Sequence, residues 1–157
     1  MHRFLILLFV FLWQVSYAQT TLKGKVIRIL DGDTFEILVN GNTTHKIRMT
    51  DIDAPEKKQD FGNASKQHLA ACVFGREVKI IYKKLDRNKR KLGHVYLQNE
   101  YINLKMVEDG MAWHFKKYSN DARFAAMENK ARRLKKGLWI QPNPIAPWDY
   151  RGKINKK

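Results

Sequence analysis

The sequence is short of cysteine, of long apolar runs and of acid, and each shortage excludes something. One cysteine, Cys72, stands among 157 residues, so no internal disulfide can staple the fold, and packing or a bound ion has to hold it. Cys72 falls among Leu69 and Val73 in a helix-like stretch and reads as a small buried hydrophobe rather than a reactive thiol. The one unbroken apolar run, Phe4 to Trp13, has ten residues, too few for the roughly 20 that cross a bilayer. His45, His68, His94 and His114 show no metal-ligand spacing, and no Ser–His or Cys–His nucleophile pair is evident. There is no internal repeat and no linker, and the length suits one domain.

The apolar run has another reading. Met1-His2-Arg3 gives it a short positive start, and Ser16-Tyr17-Ala18 places small residues where a signal peptidase cuts. Residues 1–18 are therefore expected to be a signal peptide, with residues 19–157 as the mature domain, secreted or periplasmic. No cysteine near Ala18 supports a lipid anchor, and no stable membrane association is expected. A monomer is expected.

Acid is scarce overall but not locally. Lys and Arg total 30 against 15 Asp and Glu, a net charge of +15, which loss of Arg3 takes to +14. A small domain this basic is expected to bind polyanions, nucleic acid first and acidic lipid or polysaccharide second. Six of the fifteen acids nevertheless crowd between Asp31 and Glu56: Asp31, Asp33, Glu36, Asp51, Asp53 and Glu56, opposed there only by Lys46 and Arg48. An acidic island in a basic chain points to a cation site facing a polyanion site, the pairing that metal-assisted phosphate chemistry requires.

Periodicity and turn residues outline the fold. Leu22 to Leu30, Thr34 to Val39 and Thr43 to Met49 read as a three-stranded meander, turned at Asp31-Gly32-Asp33 and Asn40-Gly41-Asn42. Asn63 can cap a helix to about Phe74. Glu77 to Lys83 and Leu92 to Leu97 read as two more strands around a basic loop. Asn103 can cap a short helix that Gly110 ends, and Met111 to Phe115 reads as briefly extended. Asn120 to Lys136 is the clearest helix, with Phe124, Met127, Ala131, Leu134 and Leu138 along one face and Gly137 as its stop. The chain from about 141, with three prolines and a basic end, reads as an irregular tail. The sum is an α+β fold, a five-stranded OB-like β-barrel with about three helices.

Three segments carry the chemistry, in order: Asp31-Gly32-Asp33-Thr34; Arg48-Met49-Thr50-Asp51-Ile52-Asp53-Ala54-Pro55-Glu56; and Asp86-Arg87-Asn88-Lys89-Arg90-Lys91-Leu92-Gly93-His94-Val95-Tyr96. Singly, each reads as a hairpin turn, a loop before a helix or a solvated basic loop. Together, at matching spacing, they resemble the staphylococcal nuclease (thermonuclease) family over nearly all of the mature chain. Gly137-Leu138-Trp139 and Pro147-Trp148 look like the end of secreted bacterial members. The resemblance implies a Ca²⁺-dependent phosphodiesterase that hydrolyses DNA and RNA, preferring single strands and leaving 3′-phosphate ends. It implies Asp33 and Asp53 as calcium-ligating carboxylates, with Ala54 supplying a carbonyl ligand. Glu56 matches the carboxylate that activates or orients water, and Arg48 and Arg90 match the phosphate-binding arginines. Tyr118 matches a tyrosine that packs on the nucleotide, though a surface tyrosine at a helix start reads almost as well.

Elementary chemistry agrees with those roles. Calcium takes oxygen ligands and keeps waters, and two guanidiniums match the charge gathering on a pentacoordinate phosphorus better than lysines can. Two departures from the family pattern stand out. Asn88-Lys89 replaces a Tyr-Gly before the second arginine, which leaves Arg87 as an alternative to Arg90. Ala54 replaces a threonine, with little consequence for a carbonyl ligand. Asp31 and Asp51 read as structural, Trp113, Trp139 and Trp148 as packing, and Lys130, Arg132, Arg133, Lys135 and Lys136 as a solvated helix face. The rival function is an OB-like module that binds single strands without cutting them.

Overall fold

A computed structural model describes residues 19–154; the signal peptide expected at 1–18 lies outside the described residues. Five strands build the barrel: β1 (Thr20–Ile29), β2 (Thr34–Val39), β3 (Thr43–Met49), β5 (Glu77–Leu85) and β6 (Lys91–Leu97). They run in the order β3-β2-β1-β5-β6, all antiparallel, and a parallel β3–β6 pairing of Ile47 with Lys91 and Met49 with Gly93 closes the ring. Closure leaves no long free edge. The two-residue β4 (Ile52–Asp53) pairs with β8 (Trp113–His114), and β7 (Glu100–Tyr101) pairs antiparallel with the end of β6.

Alternation places one face of each strand inside. Val26, Phe35, Ile37, Ile47, Ile80 and Val95 are fully buried and form one cluster with Leu69, Ile102 and Met106 of the helices. A shift of register between Val26 and Arg28 turns Ile27 outward and curls β1 around the barrel. Gly93 sits where the ring closes. A Cβ there would lie 2.6 Å from Cγ2 of Ile80 and 3.3 Å from Cγ2 of Ile47, so the glycine lets β3 and β6 approach.

The helices are α1 (Gly62–Val73), α2 (Ile102–Glu108), α3 (Ala122–Arg133) and α4 (Pro147–Ile154), with a 3₁₀ turn at Gly137–Ile140. Their starts correct the sequence reading. Asn63 does not cap α1; the helix begins two residues earlier, after Phe61 in a left-handed conformation, because a tight turn from Glu56 to Gly62 sets the entry. Asn103 lies inside α2, fully buried, where its side-chain carbonyl accepts from the Val95 N–H (2.9 Å) and its amide donates to the carbonyls of Thr50 and Gly93. It joins β6 to the end of β3 instead of capping a helix. Asp121 is the cap of α3, accepting from the Arg123 N–H. Leu134 lies past the end of that helix and is exposed.

The tail is the larger correction. It is not irregular throughout: α4 forms there, and aromatic packing holds it. Trp148 stacks on Phe115 with centroids 5.3 Å apart and planes within 3°, and meets Trp113 edge-on. The Tyr150 hydroxyl donates to the Lys58 carbonyl (3.0 Å). The basic face of α3 is not simply solvated either. Arg132 pairs with the buried carboxylate of Glu128, and its guanidinium lies 3.7 Å over the Trp139 ring, while Lys130 pairs with Glu108.

Gly93→Ala should test the closure. The added methyl has no room against Ile80, so the variant is expected to lose about 1–3 kcal/mol of stability, read as a lower urea midpoint at unchanged slope.

Candidate active site

The site assembles at one end of the barrel, where the β1–β2 turn and the end of β3 meet the loop after β5. Asp33 precedes β2, and its neighbour Thr34 faces Arg48 across the β2–β3 ladder. Pairing therefore fixes an acid and an arginine side by side. The Asp31 carboxylate accepts from the Asp33 N–H (3.1 Å) and shapes the turn, as expected of a structural residue. Burial first, then the charge of Asp33, pushes its carboxyl up to about 7. Gly32 is forced to be glycine, since a Cβ would fall 1.9 Å from Oγ of Ser65 and 2.8 Å from Cβ of Ala54. That contact presses the turn against the 53–54 segment.

Asp33 and Asp53 are both buried, at 5% and 1% exposure. Nη2 of Arg48 bridges them, 3.0 Å from Oδ2 of Asp33 and 2.9 Å from Oδ1 of Asp53. Its Nη1 donates to the carbonyls of Met49 (2.6 Å) and Ile52 (3.0 Å), which fix the plane of the guanidinium. The Ala54 N–H donates to Oδ2 of Asp33 (2.7 Å). Burial raises the Asp53 carboxyl above its ordinary range; Arg151 and Arg48 oppose this and the charge of Asp33 adds to it.

Arg90 reaches the site from the loop that enters β6, the strand paired to β3. Its Nε pairs with Oδ2 of Asp86 (2.7 Å), and its Nη1 lies 3.5 Å from Oγ1 of Thr34, which donates to Oδ1 of Asp33 (3.0 Å). Oδ1 of Asp86 accepts from the N–H groups of Asn88 and Arg90, both at 2.9 Å. Of the two arginines in this loop, Arg90 reaches Thr34 beside Asp33, while Arg87 is exposed. Lys89 adopts φ 58°, the left-handed region that glycine enters freely and other residues at a cost of about 1–2 kcal/mol. The loop thus keeps a glycine-like turn without the glycine, held by the Asp86 anchor.

Glu56 joins the group through a residue the sequence reading missed. Arg151 of α4 donates from Nη1 to Oε1 of Glu56 (2.5 Å) and from Nη2 to Oδ2 of Asp53 (2.6 Å). The signals were present in the tail: Pro147 at a helix start, Asp149 in the first turn and Arg151 in the last. Tyr118 is not joined to the cluster by any hydrogen bond among the described residues. It is 68% exposed and edge-on to Phe115, whose N–H donates to the Asp51 carbonyl (2.8 Å).

The donor set fits a hard divalent cation. Asp33 and Asp53 offer the carboxylate oxygens that such a cation takes. No group of three or more His, Cys, Asp or Glu gathers around one point among the described residues, so backbone oxygen and water would have to complete the coordination.

A closed five-stranded barrel carrying paired acids flanked by arginines defines the class: residues 46–141 match the family described as staphylococcal nuclease homologue, and the chain belongs to that family. Particular relatives agree. The chain is 44% identical over 140 residues to a micrococcal nuclease of Shigella flexneri, covering 82% of this chain and 80% of that protein. It is 42% identical over 153 residues to an uncharacterised endonuclease of Haemophilus influenzae (96% and 85% covered). An uncharacterised endonuclease of Escherichia coli O157:H7 is 40% identical over 147 residues (93% and 94% covered). These likenesses support a nuclease function.

Asp86→Ala should release Arg90 from its anchor and slow nucleic-acid cleavage up to about 10²-fold, the scale of a misplaced catalytic group. Arg87→Ala should stay near wild type. Steady-state rates on an oligonucleotide check both, and the reverse ranking would reassign the arginine.

Proposed function

We propose that this protein is an exported, calcium-dependent phosphodiesterase that hydrolyses DNA and RNA with little sequence specificity. The observation that carries the reading is the buried Asp33–Asp53 pair, bridged by Arg48 and linked to Arg90 through Thr34, with Glu56 at its rim. A binding module has no use for a buried acid pair, which repels the phosphates it would bind.

The proposed division of labour follows from the donors. Asp33, Asp53 and the Ala54 carbonyl would hold calcium, which when bound draws charge from the phosphate and orients it. Arg48 and Arg90 are planar and always charged, and they would reach the phosphate from β3 and from the loop before β6, so that paired N–H donors meet the charge that grows on its equatorial oxygens. Carbonyl clamps on Arg48 and the Asp86 pair on Arg90 fix both guanidiniums before substrate arrives, which is where such electrostatic help is worth most. Glu56, half-exposed at the rim, would take a proton from attacking water. No covalent intermediate is required.

Tyr118 offers an exposed ring on which a base can stack, worth roughly 1–3 kcal/mol per base. A net charge of +15, or +14 once Arg3 is lost with the signal peptide, draws polyanions from a distance without reading sequence. Single strands as preferred substrates, 3′-phosphate ends, a monomeric state and signal-peptide cleavage near Ala18 complete the proposal, each resting on the resemblance or on the sequence pattern.

Incubation of the mature protein with plasmid and RNA, with Ca²⁺ or with EGTA, tests it. Cleavage of both with calcium and none with chelator is expected. Glu56→Gln should lose roughly 10²–10⁴ in turnover and Arg90→Ala roughly 10²–10³, with far-UV circular dichroism unchanged. Binding without cleavage in the wild type would favour the single-strand-binding alternative.

A further inference from the structure

We propose that Arg151 of α4 is a third active-site arginine, which ties Glu56 to Asp53 and competes with a divalent cation for the Asp53 carboxylate. The inference rests on the reading of Asp33 and Asp53 as cation ligands given above. Both oxygens of Asp53 are taken by guanidinium donors. Oδ1 accepts from Nη2 of Arg48 (2.9 Å) and from Nη1 of Arg151 (3.3 Å), and Oδ2 accepts from Nη2 of Arg151 (2.6 Å). Arg151 is the one donor to Oδ2 among the described residues, so a cation approaching that oxygen meets Arg151 first.

The same guanidinium spans to Oε1 of Glu56 (2.5 Å). It is therefore a clip across two carboxylates that the chain brings within three positions of one another. Burial works against the charge of Arg151, and the two carboxylates more than offset this, holding it firmly protonated. The clip is tethered but not rigidly built in: its side chain is 41% exposed, and α4 is a short terminal helix fastened by the Phe115–Trp148 stack and the Tyr150 hydroxyl. When a cation takes Asp53, Arg151 loses its main partner and keeps only its bond to Glu56. Positive charge this close to a cation site weakens cation binding at short range, so Arg151 sets the concentration of metal at which the site fills. It is a positioning residue rather than a catalytic one.

Calcium titration calorimetry on the metal-free mature protein tests this, with Arg151→Ala, Arg151→Lys and, as a control of equal charge change on the same helix, Lys153→Ala. Lys153 is exposed. Arg151→Ala should bind Ca²⁺ on the order of tenfold more tightly, Arg151→Lys should fall between it and wild type, and Lys153→Ala should stay within about twofold of wild type. Amide exchange over residues 147–154 should accelerate when Ca²⁺ is added to wild type, and should no longer respond in Arg151→Ala. Equal affinity in wild type and Arg151→Ala, or an equal gain in Lys153→Ala, would overturn the role of Arg151 alone. No calcium binding in any variant, with cleavage persisting in EGTA, would overturn the metal reading and this inference with it.

Discussion

Two carboxylates buried beside one another constrain the rest of this structure. Asp33 and Asp53 are nearly free of solvent, and burial of like charges is unfavourable unless cations answer them. Arg48 answers both with one nitrogen. It can do so only because the β2–β3 register sets Thr34 opposite Arg48, and because β4 returns Asp53 five positions later. The barrel serves this arrangement. Its closure through β3 and β6 brings the loop carrying Arg90 to the same end, where Thr34 links Arg90 to Asp33.

The periphery is organised by the same demand. The 113–118 segment pairs with β4 through β8 and presents Phe115 to Trp148. That stack seats α4, and α4 delivers Arg151 to Asp53 and Glu56. A second aromatic group, Trp113 with Trp139 under the guanidinium of Arg132, ties α3 and the 3₁₀ turn to the same wall. Aromatic rings at this end therefore act chiefly as supports, and Tyr118 is the ring left open to solvent.

What could be read from the sequence followed from local physics. The five barrel strands were legible because side chains alternate, with Asp-Gly and Asn-Gly turns marking the first three, while the acids and arginines were picked out by resemblance of three short runs to a family. The misses had tertiary causes. Asn63 and Asn103 looked like caps by type, but the turn after Glu56 and a buried hydrogen-bond demand between β3 and β6 decided their places. Arg151 was hidden because three prolines made its segment look irregular, and because its partners are more than ninety positions away. Lys89 shows the converse: a residue unsuited to its φ of 58° is held there by an anchor at Asp86 that local propensity does not register.

The central claim is that one buried acid pair both holds calcium and supports cleavage. The most direct measurement is a paired one on Asp53→Asn, recording calcium affinity by titration calorimetry and the rate of oligonucleotide cleavage on the same folded preparation. The account predicts that both fall together, the rate by at least roughly 10². Calcium binding and cleavage that survive at wild-type levels in Asp53→Asn would contradict it.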